Sequence, residues 1–276
     1  MLMTPVIKEP LRHIRKLITE PGYRRFRWLL SKYSRAERFT EHVIQVNGWH
    51  LRVPDLHSFL YTYKSIFVDE IYAFNAPSEA PYIIDCGANI GLSVLYFKRR
   101  FPQATILAFE PDPLLAAVLE ANLQANGVRD VTVVQKALWS SETVVRFRAD
   151  GADGGRIDLG QEPNLLAVPT VRLSSYLNNQ PVDCLKIDIE GAEGEVLHEC
   201  AAGLAHVRYV FVEFHSFAGR PQELGSLIKL FETRGFRSHI HPHFSSPTPF
   251  LYIAQNDYAM DMQLNLFFIR DNQPKE

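Results

Sequence analysis

The chain is short of cysteine and has no long apolar run, and each shortage excludes a class of protein. Its three cysteines, Cys86, Cys184 and Cys200, show no C-x-x-C spacing and cannot all pair with one another. A disulfide scaffold is therefore not expected, and the thiols read as reduced, buried residues of a cytosolic protein. No apolar stretch approaches the ~20 residues needed to cross a bilayer. Met1 to Pro10 lack the apolar centre of a signal peptide. Internal repeats and low-complexity tracts are also absent. What remains is a 276-residue chain, 46% hydrophobic, whose apolar residues fall in short bursts between polar and Gly/Pro punctuation. That is enough for one large core, or for a core domain with an appendage.

The net charge of −2 conceals an asymmetry. Between Lys8 and Phe39 ten basic residues (Lys8, Arg12, Arg15, Lys16, Arg24, Arg25, Arg27, Lys32, Arg35, Arg38) face three glutamates, a balance of +7 that leaves −9 elsewhere. Leu11, Ile14, Leu17, Ile18, Phe26, Trp28, Leu29 and Leu30 are interleaved with them. Such an arm suits peripheral contact with an anionic membrane surface. The plainer expectation is that its apolar side packs on the main domain or on a second subunit while the charges stay solvated.

Residues 1–40 read as one or two helices broken near Pro21-Gly22, a basic helical arm. Residues 41–80 lead into the core through a hairpin at 42–53 that turns at Asn47-Gly48, a helix from Ser58 to about Phe74, and a linker at Pro77 to Pro81. From 81 to 276 the rhythm is strand and helix in alternation. Strand-like runs at 82–86, 105–109, 131–138, 183–189 and 208–214 are separated or followed by helical stretches at 90–100, 113–126, 192–204 and 222–235. This pattern predicts βαβ units and a mostly parallel, doubly wound α/β sheet. Residues 139–182 interrupt it as an extra hairpin or excursion. The last run, 264–270, is expected as an antiparallel edge strand.

The loop after the first core strand reads Asp85-Cys86-Gly87-Ala88-Asn89-Ile90-Gly91. Glycines here let the backbone turn sharply and approach a ligand at the carboxyl end of the sheet, and a helix start offers unsatisfied N–H groups. A dinucleotide G-x-G-x-x-G beginning at Gly87 needs glycines where Asn89 and Leu92 stand, so a nicotinamide-dependent oxidoreductase is the losing alternative. An acid before the first glycine would repel a pyrophosphate and suits a cationic group such as the α-amino group of S-adenosylmethionine. Glu110 closes the next strand about twenty residues later, where an acid accepts hydrogen bonds from ribose hydroxyls. In Glu110-Pro111-Asp112-Pro113, Asp112 is placed to cap the following helix with Pro113 at its first position.

With these residues in view, the sequence resembles the FkbM-type S-adenosylmethionine-dependent methyltransferases. IIDCGANIGLSVLYF, AFEPDP and above all LKIDIEGAE carry the resemblance, which runs from about Gln45 to about His215. It implies a Rossmann-like class I methyltransferase fold and O-methylation of sugars or natural-product hydroxyls. It also implies that Asp85, Gly87, Ala88, Asn89 and Gly91 line the methionine pocket, that Glu110 and Pro111 meet the ribose, and that Ala137 and Leu138 flank the adenine.

Methyl transfer to an alcohol asks the protein for positioning and for a proton acceptor. In a regular strand Lys186, Asp188 and Glu190 share one face. Asp188 is the leading candidate for contact with the substrate hydroxyl and with the cofactor, while Lys186 is either its functional partner or part of a structural ion pair. The next strand ends in Glu213 and His215, the alternative bases. Asp188, Glu190 and Glu213 are the acids that a divalent cation would use, a lesser expectation than a metal-free site. His239, His241 and His243 alternate on a strand and lack a fourth zinc ligand. The stretch from Asp150 to Asp158 has the look of a calcium loop but carries Ala152 and Gly154 at ligand positions, so a flexible loop over the site is expected instead. The expected partner is a small-molecule or glycan hydroxyl, not a nucleic acid. The non-enzymatic alternative is a membrane-surface protein that keeps the fold without the chemistry.

Overall fold

The computed structural model describes residues 13–152, 154–157, 165–177, 180–253 and 259–270. Lys8 and Arg12 of the basic arm, and Asp153 and Asp158 of the Gly/Asp stretch, lie outside them. The chain forms two compact units, Met1–Ala73 and Phe74–Glu276.

In the first unit, helical residues 13–19 are followed by α1 (Pro21–Tyr33), whose proline sits in its first turn where a missing N–H costs nothing. The hairpin β1 (His42–Val46) and β2 (Trp49–Val53) turns at Asn47 and Gly48, with φ of 53° and 87°. Those are the left-handed values a two-residue turn demands. Helix α2 (Leu56–Phe67) starts at Asp55, which accepts from the Ser58 N–H and is gripped by Arg38 at 2.9 Å. Arg38 is thus a structural member of the arm. Phe26 and Leu29 of α1 are buried, while Ile14, Ile18 and Trp28 are exposed.

The second unit is built on a seven-stranded sheet. Its strands are β3 (Tyr82–Cys86), β4 (Thr105–Phe109), β5 (Val131–Val134), β10 (Val182–Ile187), β11 (Val207–Phe217), β12 (Phe236–Ser245) and β13 (Met260–Arg270), in the spatial order β12-β13-β11-β10-β3-β4-β5. All neighbouring pairs are parallel except the two that β13 makes. Helices α3 (Leu92–Arg100), α4 (Pro113–Ala125), α5 (Glu193–Glu199) and α6 (Leu224–Thr233) follow β3, β4, β10 and β11. The strand cores are almost wholly apolar, and Ile84, Leu185, Ile187 and Val212 are fully buried, as expected of a parallel sheet covered on both faces. Asp112 caps α4 by accepting from Leu114 N at 2.8 Å.

Two expectations are corrected. The antiparallel strand is not the edge: β13 lies between β11 and β12, because Leu264, Leu266 and Phe268 are buried and need cover on both sides. The edge is β12, whose residues are nearly all exposed, including His239, His241 and His243. Polar side chains on an edge strand oppose further pairing. The third core strand stops at Val134, and Ala137–Leu138 form a separate short strand, β6. With β7 (Val144–Arg148), β8 (Arg156–Ile157) and β9 (Leu166–Val171), β6 makes a second sheet of order β6-β9-β7-β8, which is the excursion expected before the fourth core strand.

The order of strands places the site. From β3 the chain steps outward to β4 and β5, then returns to lay β10 on the other side of β3, with Lys186 opposite Asp85 and Ile187 opposite Cys86. The strand order therefore reverses between β3 and β10, and a crevice at their carboxyl ends follows from that reversal.

Candidate active site

The glycine loop leaves β3 with left-handed residues at Gly87, Asn89 and Gly91, whose φ values are 89°, 48° and 93°. Glycine is required at 87, because a Cβ there would lie 1.8 Å from the carbonyl oxygen of Asp188. The loop is thereby pressed onto the end of β10. Its amides are occupied internally. Gly87 and Ala88 donate to Phe109 O at 3.0 and 2.9 Å, and Gly91 to Ala88 O at 2.9 Å. Asn89 donates to Glu110 Oε2 at 2.8 Å and Ile90 to the Asn89 side chain at 2.6 Å. From 87 to 91 the donors are satisfied within the protein, which makes the loop a poor nest for a pyrophosphate.

Asp85 has no exposed side-chain surface, Ser93 Oγ donates to it at 2.5 Å, and Lys186 Nζ lies 3.3 Å away, so it serves as a buried counter-charge to that lysine. Glu110, at the end of β4, is 5% exposed, and its two oxygens accept from Asn89 N and Asp112 N, tying the glycine loop to the start of α4. Burial pushes its carboxyl up to about 7, against the pull of those two hydrogen bonds. Ala137 and Leu138 are buried in the β6 strand, and their side chains join two apolar clusters.

The second cluster gathers at the ends of β10 and β11. Lys186, also buried, donates to Gly87 O at 2.6 Å and lies 3.3 Å from both Asp85 and Asp188. This cation holds the glycine loop and β10 together. The regular strand assumed for 186–190 ends at Ile187. Glu190 and Gly191 then take φ of 55° and 98°, a reversal that brings the Glu190 carboxylate to His215 Nε2 at 3.5 Å. His215 is buried. Its Nδ1 lies 2.9 Å from Glu193 Oε1, the same oxygen that accepts from Gly191 N at 2.9 Å and Ile189 N at 3.3 Å. Burial would depress the imidazole, but Glu190, Glu193 and Glu213 around it hold it well above its ordinary value. Glu213 accepts from Gln263 on β13, and burial beside Asp188 raises its carboxyl to about 7. Burial likewise raises Glu190, with His215 opposing and Asp188 adding to the rise.

The acids foreseen for a cation were Asp188, Glu190 and Glu213. The set that converges is Asp188, Glu190 and His215, with ligand atoms all within 4.8 Å of one another. Glu193 and Gln263 were missed as members of the site. Glu193 stands inside the Glu-Gly-Ala-Glu run, three residues beyond Glu190. Gln263 gives no sequence signal, since only the register that sets it opposite His215 brings it in.

A doubly wound sheet with a glycine loop at its reversal point, a buried acid closing the second strand and acids beyond the fourth and fifth define a class I methyltransferase fold. Residues 85–238 match the Methyltransferase FkbM domain. The chain belongs to that family, and it is a methyltransferase. It is 36% identical to Methyltransferase sdnD of Sordaria araneosa over 219 residues, covering 64% of this chain and 81% of that protein. With 31-O-demethyl-FK506 methyltransferase FkbM of Streptomyces tacrolimicus it shares 28% identity over 216 residues, 64% of this chain and 81% of the relative. With 2-O-methyltransferase NoeI of Sinorhizobium fredii the figures are 25% over 156 residues, 49% and 63%. Among the described residues no helix is long and apolar enough to cross a membrane.

Proposed function

We propose that this methyltransferase moves a methyl group from S-adenosylmethionine to a hydroxyl oxygen of a saccharide or another polyhydroxylated natural product. The observation that carries the reading is the joining of two halves through one buried cation. Lys186 contacts Gly87 of the cofactor-side loop and Asp188 of the acid cluster together. The names of the FkbM and NoeI relatives, both of which specify oxygen acceptors, support the same choice.

Bound S-adenosylmethionine supplies the electrophilic methyl group. Glu110 accepts hydrogen bonds from the ribose hydroxyls, and the glycine loop gives close backbone approach to the methionine end. Asp188, partly exposed, holds the substrate hydroxyl and accepts its proton as the oxygen attacks. The other candidates for this role are His215, which is buried, and Glu213, which is partly buried; they are bonded to Glu193 and Gln263, which suits them to shape the site. The basic arm, with Ile14, Ile18 and Trp28 exposed among its charges, acts as a peripheral membrane contact.

The test is calorimetry with S-adenosylhomocysteine against NAD, followed by transfer of a labelled methyl group to a panel of hydroxylated acceptors. Binding of the homocysteine nucleoside with NAD excluded, and label on oxygen, is the expected result. Preference for NAD, or label on nitrogen or carbon, rejects the reading.

A further inference from the structure

We propose that Asp188, Glu190 and His215 form a binding site for one first-row divalent cation of the manganese or zinc type. The inference deepens the reading above, since it places the ion where the substrate hydroxyl is held. The geometry that defines it stands apart from that reading.

The three ligand atoms lie within 4.8 Å of one another. Bonds of ~2.0–2.2 Å to one ion require ligand atoms no more than ~4.4 Å apart, so side-chain rotation alone closes the site. Two of the groups come from the reversal after β10, where Glu190 holds a left-handed φ of 55°, a strained conformation for a non-glycine residue. Strain of that kind persists when the surroundings enforce it. Here Gly191 N and Ile189 N both donate to Glu193, which fixes the reversal.

The third group is oriented from behind. His215 Nδ1 faces Glu193 Oε1 at 2.9 Å, and Glu193 is itself buried. A carboxylate accepting from Nδ1–H sets the tautomer in which Nε2 carries the lone pair, the arrangement that supports metal-bound histidines. That Nε2 points at Glu190 Oε2, 3.5 Å away, with the Gln263 amide at 3.4 Å. A lone pair facing a carboxylate is repulsive unless a proton or a cation lies between them. Lys186 and Glu213 stand beside the same cluster, Lys186 at 3.3 Å from Asp188.

The donor set selects the metal. Two carboxylates and an imidazole suit first-row ions, whereas Ca²⁺ asks for six to eight oxygens. Three protein ligands leave positions for water or a substrate hydroxyl.

The full chain, stripped with EDTA and desalted, is titrated with MnCl₂ by calorimetry and by electron paramagnetic resonance, with ZnCl₂ and CaCl₂ in parallel. One Mn²⁺ or Zn²⁺ per chain is expected, with Ca²⁺ at least tenfold weaker. Glu190→Gln and Glu193→Gln each weaken Mn²⁺ by ~10–100-fold, while Glu195→Gln, an exposed acid outside the cluster, leaves it unchanged. Unfolding midpoints confirm that each variant is folded. No stoichiometric binding, or equal affinity in parent and Glu190→Gln, overturns the site and leaves a proton as the particle between His215 and Glu190. S-adenosylhomocysteine binding is measured on the same metal-free samples. Its loss with Mn²⁺ binding intact rejects the proposed function alone, and the reverse pattern rejects the cation site alone.

Discussion

Replacing Gly87 by alanine tests the joint between the glycine loop and the end of β10. Two separate costs are involved. The residue has a φ of 89°, and a Cβ in the left-handed region costs about 1–2 kcal/mol. The new Cβ would also stand 1.8 Å from Asp188 O and 3.0 Å from its carbonyl carbon, so loop and strand end must separate by more than an ångström. Both sides are backbone, and overpacking of that kind adds about 1–3 kcal/mol. The total is about 2–5 kcal/mol. Gly127, just past α4, is the internal control: its φ is 61° and nothing lies within 4 Å of its would-be Cβ, so only the conformational cost applies. Urea unfolding of both variants gives the difference directly, and S-adenosylhomocysteine calorimetry on Gly87→Ala is expected to show weakened binding as the loop is displaced. If Gly87→Ala is no less stable than Gly127→Ala, the close approach is absent and the loop is not wedged against β10.

Other expectations follow from the same site. Glu110 rises from 4.5 to about 7 in the fold, a change corresponding to about 3 kcal/mol. A carboxyl raised on folding stabilises the ligand-free protein below its unfolded value and loses that contribution as pH rises through about 7. Ribose hydroxyls favour the ionised form, so the thermal shift caused by S-adenosylhomocysteine is expected to be larger at pH 8 than at pH 5.5. Glu110→Gln flattens that dependence, and a variant with the parent's profile rejects the ribose role. Lys186→Met leaves Asp85 and Asp188 without their shared cation and is expected to cost about 3–5 kcal/mol in urea unfolding; a loss under about 1 kcal/mol disproves the linchpin role. Asp188→Asn is expected to lower turnover ~10²–10⁴-fold with little change in cofactor affinity, and parent-like turnover removes it as proton acceptor. Liposomes containing anionic lipid are expected to bind the full chain at low salt and release it as salt rises, since exposed charges are screened over ~8 Å at physiological ionic strength. Retention at high salt, or no binding at low salt, rejects the peripheral contact.

Much of the fold was legible in the sequence because βαβ units are local. Each strand from 82–86 to 208–214 announces itself by an apolar burst and each helix by its spacing, and Asp112-Pro113 states a helix start outright. What escaped was set by distant pairing. The position of β13 depends on whether 236–245 or 260–270 tolerates an open edge, which is a comparison between segments. Lys186, Asp188, Glu190, Glu213 and His215 were found because acids and histidines at strand ends are conspicuous. Their grouping was misjudged, because the face-sharing rule holds only while the strand continues, and the chain turns left-handed at Glu190. The ion pair of Asp85 escaped for a related reason: its lysine lies 101 residues later, and spacing carries no sign of that pairing.

The placing of β13 has a consequence for how the protein is made. Synthesis delivers β11 first and β12 second, yet in the sheet the final strand separates them. Until residues from Met260 onward emerge, β11 has no neighbour on that side, and its row of Val210, Val212 and Phe214 backbone groups is a bare edge of the sort that recruits other chains. Gln263 is also missing until then, so Glu213 and His215 lack the amide that lies against both of them. A message truncated between Ser245 and Met260 would yield a sheet with its glycine loop and Glu110 in place and its acid cluster unfinished. Such a chain is better marked for aggregation or degradation than for partial activity.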